Sequence, residues 1–122
     1  MSEKSNPNLL ERLVDFAVNI IQLCEQLPAT KAGNHVGGQI LRSGTSPAPN
    51  YAEAQSAEST DDFIHKLKIA LKELRETEVW LKIIQRARLV PPSETLQALI
   101  QESNELISIF VASINTAKRN KT

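Results

Sequence analysis

Cysteine is all but absent from this chain: Cys24 stands alone, so no internal disulfide can form. It falls in an apolar helical stretch, where a free thiol behaves as a small hydrophobe. Glycine and aromatic residues are scarce too, with four Gly and 4% Phe, Trp and Tyr in 122 residues, which argues against a strand-rich fold. Net charge is zero, 14 Lys and Arg balancing 14 Asp and Glu, so no long-range field draws the molecule to nucleic acid or an anionic membrane. No apolar run approaches the roughly 18–20 residues that span a bilayer. Val18 to Leu23 is broken by Asn19 and Gln22. The opening MSEKSNPNLL has neither an apolar core nor a small-residue cleavage site, so the expected address is cytoplasmic.

What is present is helical. Leu, Ile, Ala, Glu, Lys and Gln dominate, and a chain of this length buries enough surface for one core in a single domain, residues 1–122. The first pattern runs from about 8 to 27, where Asn6 or Asn8 can cap, Pro7 suits a helix start and Pro28 ends it. Leu9, Leu13, Phe16, Ile20, Leu23 and Leu27 form one apolar row, and Leu10, Val14, Ala17, Ile21 and Cys24 form a second beside it. That stripe is wider than a core-facing helix requires, which predicts that the helix touches a partner as well as the core.

The second pattern, 31–57, starts at the capping residue Thr30 and carries Val36, Ile40 and Leu41 despite Gly33, Gly37 and Gly38. Pro47 and Pro49 remove two backbone donors and predict a kink in it. The third, 60–88, opens at Ser59 or Thr60 with Asp61 and Asp62 in its first turn and ends near Arg86 and Arg88, so its charges suit the helix dipole. Its apolar row includes Phe63, Leu67, Ala70, Leu74, Trp80 or Leu81, and Ile84. Pro91 and Pro92 stop it. Ser93 opens the fourth, 93–117, with Leu96, Leu99, Leu106, Phe110 and Ile114 on one face, and residues 118–122 are expected to fray. Four helices joined by short loops give an all-α, antiparallel up-and-down four-helix bundle.

One constellation does not read as core. Arg42, Ser46, Asn50 and Glu53 recur at steps of four, four and three, so a regular helix places them on one face. A solvated face is one reading; the expectation is a buried or half-buried network in which Arg42 pairs with Glu53, while Asn50 and Ser46 serve backbone opened by the prolines. Glu73, Glu76 and Thr77 on the third helix are its candidate partners.

Glu53, Glu73 and Glu76 superficially resemble carboxylates of a di-iron bundle. Such a site wants two Glu-x-x-His motifs, and neither His35 nor His65 follows a Glu by three. With no CxxC, phosphate loop or nucleophile elbow either, the expectation is no enzyme, cofactor or metal. His35 and His65 read as surface residues, and Trp80 and Tyr51 as core or interface aromatics. Candidate contacts to nucleic acid are Lys66, Lys68, Lys72, Arg75, Lys82, Arg86 and Arg88, with Lys118, Arg119 and Lys121 joining them if the tail folds back.

The residues Leu27-Pro28, Gln39-Ile-Leu-Arg-Ser43, Asn50-Tyr-Ala-Glu53, Asp62-Phe-Ile64, Lys68-Ile-Ala-Leu-Lys-Glu-Leu74, Glu76-Thr77 and Trp80-Leu81 carry a resemblance. It is to the four-helix-bundle proteins encoded in bacterial ribosomal RNA intervening sequences, which are related to the accessory variability protein of diversity-generating retroelements. The resemblance covers nearly the whole chain and is most specific between Gln39 and Leu81. It implies a homopentameric ring without established enzymatic activity. In the retroelement branch it further implies nucleic-acid binding alongside a reverse transcriptase. That branch is strongly basic and this chain is neutral, so the expected function is a homo-oligomeric assembly or accessory module. An RNA- or DNA-binding accessory protein is the alternative. Arg42, Ser46, Asn50, Glu53, Glu73, Glu76 and Trp80 match the family's signature positions, with a structural or interface role expected.

Overall fold

The computed structural model describes residues 8–121, so a cap at Asn6 and a helix start at Pro7 lie outside the described residues. Five helical segments follow in chain order, α1 Leu9–Gln26, α2 Lys31–Thr45, α3 Pro47–Gln55, α4 Thr60–Ala87 and α5 Glu94–Arg119. Among the described residues no helix is long and apolar enough to cross a membrane.

The starts of three helices follow from their capping side chains. Thr30 Oγ1 accepts from the Gly33 amide at 3.0 Å, Ser59 Oγ from Asp62 at 3.0 Å and Ser93 Oγ from Leu96 at 3.1 Å. Thr60, the alternative start, is the first residue of α4. Asn8 occupies the cap of α1, but its side chain makes no capping bond. The helix begins without that help because Leu9 and Leu13 are buried within its first two turns.

α2 and α3 are the two arms of one bent bundle helix. Pro47 sits at the first position of α3, where a missing amide costs nothing, and Ser46 keeps helical dihedrals at φ −76° and ψ −35°. The chain therefore turns without leaving the helical path. At the other end of the bundle, α4 closes on Arg88 in the left-handed conformation at φ 55°, and the amides of Arg88 and Leu89 return to Gln85 and Ile84. α5 continues through Arg119, two residues past the expected end, with the amide of Asn120 still bonded to Thr116.

Pairings across the bundle fix its direction and order. Gly44 faces Ile20 and Gly37 faces Leu27, so α2 runs against α1. Ser43 meets Thr77 and His35 meets Trp80, so α4 runs against α2. Lys121 at the end of α5 pairs with Asp61 at the start of α4. α1 and α4 each touch α2, α3 and α5 but not one another, which makes them the diagonal pair of an antiparallel four-helix bundle.

Leu13, Phe16 and Ile20 of α1, Ile40 of α2, Leu67, Leu74, Leu81 and Ile84 of α4, and Leu106 and Phe110 of α5 are at most 1% exposed. Burying each such side chain contributes about 1.5–3 kcal/mol, enough together to offset the weak propensity of glycine-rich α2. Ile64 takes the buried place at the start of α4 and Phe63 lies half-buried beside it. The second row of α1 divides: Leu10, Ala17 and Cys24 are half-buried, while Val14 and Ile21 remain exposed.

Candidate functional site

The polar residues gather where α2 crosses α4. Three residues of α4, Glu73, Thr77 and Trp80, follow one another at steps of four and three, with Glu76 beside them, so one flank of that helix presents them all to α2. Arg42 Nη1 donates to both oxygens of Glu73 at 3.1 and 3.2 Å, and its Nη2 donates to Glu76 Oε2. Trp80 Nε1 donates to that same Glu76 oxygen at 3.1 Å, and His35 stands edge-on to the Trp80 ring with centroids 6.0 Å apart. Beneath them lies a dry contact: Thr77 and Ser43, both fully buried, have hydroxyls 2.8 Å apart, and Thr77 donates to the Glu73 carbonyl at 2.8 Å.

The hydrogen bonds from Arg42 and then Trp80 hold the Glu76 carboxyl below its usual range. The same contacts, Glu76 first and then Glu73, raise the Arg42 guanidinium. The Arg42 side chain is 51% exposed, so this cluster works as a surface clamp between two helices.

The expected Arg42–Glu53 pair does not form. Arg42 is turned onto α4, and Glu53 accepts from Lys66 Nζ at 2.7 Å. The bend at Ser46 and Pro47 separates the two ends of the ladder, and α4 offers a nearer counter-ion to each. Nor is the network buried as a unit, since Arg42 and Glu53 are both exposed. Asn50 Nδ2 does donate to Ser46, at 3.0 Å to the carbonyl and 2.9 Å to the hydroxyl. These differ from the Ser43 and Thr45 carbonyls whose partners the prolines remove. Arg42, Glu73, Glu76 and Trp80 thus come together, while Ser46, Asn50 and Glu53 belong to a separate α3 neighbourhood.

The basic residues also divide. Lys68, Lys72, Arg75, Lys82 and Arg86 lie exposed along the outward face of α4 and form no ion pair among the described residues. Lys66 is held by Glu53, which raises its pKa. Lys118, Arg119 and Lys121 do not join Arg86 and Arg88. α5 is antiparallel to α4, so the tail sits beside Asp61, a helix length of roughly 40 Å from the far end of α4.

Other polar groups are committed to the fold. Arg12 grips Glu102 with Nε at 3.0 Å and Nη2 at 2.6 Å, and reaches Glu105 at 3.2 Å, tying α1 to α5. Tyr51 packs edge-to-face on Phe110 at 5.8 Å, and burial raises its phenol. Burial, helped by the nearby Glu25 charge, raises the Cys24 thiol, whose Sγ lies 3.7 Å from the Gly37 carbonyl. A surface depression of about 840 Å³ beside the α4–α5 loop includes Gln85, Ser93 and Gln97. Its hydroxyl, Ser93, is already used as a cap. Among the described residues no three His, Cys, Asp or Glu side chains converge as a metal would require.

The bundle with a clamped α2–α4 seam defines a class of small helical protein, and comparison narrows it. The family model of the 23S rRNA-intervening sequence protein matches residues 7–112, and the chain belongs to that family. It is also similar to a solved structure described as a protein of unknown function from the S23 ribosomal protein family of Bacteroides thetaiotaomicron VPI-5482. That chain is 37% identical and superposes with a TM-score of 0.80, over 87% of this chain and 97% of that one. No curated protein matches.

Proposed function

We propose that this protein is a non-enzymatic assembly module that works as a cytoplasmic homo-oligomer, with five copies closing a ring. The observation that carries the reading is the distribution of exposed apolar side chains. Val14, Val18 and Ile21 of α1, Leu41 of α2 and Val79 and Ile83 of α4 are 39–55% exposed, and all lie on three of the five segments. Five of the six lie on the diagonal helices α1 and α4, which gives the molecule two outward apolar rows, as contacts with neighbouring copies on either side require. The ion pairs of Arg42, Lys66 and Arg12 support the same reading, because each ties two helices of the bundle together. The number five rests on the resemblance carried by Gln39 to Leu81, which implies a pentameric ring. Sedimentation velocity across a hundredfold range of concentration tests it: a species of several subunits is expected, and a monomer throughout contradicts it.

A second reading, an RNA- or DNA-binding accessory protein acting with a nucleic-acid enzyme such as a reverse transcriptase, rests on Lys68, Lys72, Arg75, Lys82 and Arg86 of α4, which form no ion pair among the described residues. It requires binding to structured RNA that weakens steeply as salt rises. Binding that is absent at low ionic strength rejects it.

A further inference from the structure

Two outward faces of the bundle are complementary to one another. On α1, Glu11, Val14, Val18, Ile21 and Glu25 recur at steps of three and four, so they form one exposed stripe with an apolar centre and an acid at each end. Asp15 adds a third exposed acid beside it, and Arg12, the single cation of the helix, is spent on Glu102 and Glu105. On α4, Arg75, Val79, Lys82 and Arg86 recur at steps of four, three and four, with Ile83 next to Val79. This stripe also has an apolar centre, here flanked by bases, and Lys68 and Lys72 extend it. α1 and α4 are the diagonal helices, so the two stripes point away from opposite sides of the molecule.

We infer that the α1 stripe of one copy docks on the α4 stripe of the next, a head-to-tail contact between identical chains. This rests on the assembly reading above and specifies its interface. A twofold contact would set like charges against each other on either face, whereas the head-to-tail contact sets Val14, Val18 and Ile21 against Val79 and Ile83 with acids near bases. Repeating such a heterologous contact closes a ring when the rotation allows. A polyanion on α4 would leave the α1 row uncovered and would lay phosphates over Val79 and Ile83. One contact between copies covers both faces.

The test uses two full-length variants, one carrying Glu11→Lys, Asp15→Lys and Glu25→Lys, the other Arg75→Glu, Lys82→Glu and Arg86→Glu. All six positions are exposed, and circular dichroism confirms folding; Val18→Asp and Val79→Asp serve the same purpose if a triple variant does not fold. Each triple variant alone is expected to fall to the 13.5 kDa monomer. A chain carrying all six substitutions is expected to recover the wild-type mass, because both faces are then reversed together and every contact of the ring again sets acids against bases. Triple variants that keep the wild-type mass overturn the inference but leave the oligomer intact. A wild-type chain that is itself monomeric overturns the assembly reading as well. If the α4 variant keeps its mass but loses retention on RNA, the stripe is a polyanion site and the inference fails.

Discussion

Gly44 and Gly38 sit six residues apart on α2 and lack a side chain for opposite reasons. A Cβ on Gly44 would stand 2.8 Å from Ile20 Cγ2 and 2.9 Å from its Cγ1, so Gly44→Ala forces α1 outward, at a cost of about 1–3 kcal/mol. Gly38 has open space above it, and Gly38→Ala should stabilise by about 1 kcal/mol through helix propensity alone. Urea denaturation of the two variants checks both signs. The buried hydroxyl pair behaves differently again. Thr77→Val removes the partner of Ser43 in a dry site and should cost about 1–3 kcal/mol, while adding Ser43→Ala should recover part of that loss. A double-mutant cycle with strictly additive costs would show that the two hydroxyls do not depend on each other.

At the scale of the element, the end of α4 and its seam with α2 make distinct predictions. Arg88 holds a left-handed conformation that glycine adopts freely, so Arg88→Gly should raise stability by roughly 0.5–1 kcal/mol, read as a later thermal midpoint. At the seam, the folded-state pKa of Glu76 is depressed, so its contribution is present above the ordinary carboxylate range and is lost as pH falls through and below it. Glu76→Gln should therefore be less stable than the parent near neutral pH, with the gap closing in acid. Trp80 is the only tryptophan and bonds Glu76, so its emission should shift over the same acid range. The capping residues Thr30 and Ser93 and the bend at Pro47 were legible in the sequence because each acts within one turn. The partner of Arg42 was not, because a face drawn on a straight helix ignores the bend and the carboxylates waiting on α4. The reason for Gly44 was equally hidden, since it depends on how closely α1 approaches.

For the whole molecule, periodicity was enough to lay out four bundle helices, and the excess width of the α1 stripe already pointed outward. In the structure Val14 and Ile21 of that second row are exposed, joined by Val18, which neither row included, with a counterpart on α4 that charge alone had marked as basic surface. Neutral net charge conceals this arrangement, because the acids of α1 and the bases of α4 cancel in the sum while lying on diagonal helices. Association between copies is the direct consequence of this arrangement. Light scattering coupled to size exclusion, at low and high salt and with bulk RNA present or absent, measures it directly. A discrete species near five times 13.5 kDa whose mass ignores RNA is expected. A monomer, or a mass that grows only with RNA at low salt, would contradict the assembly.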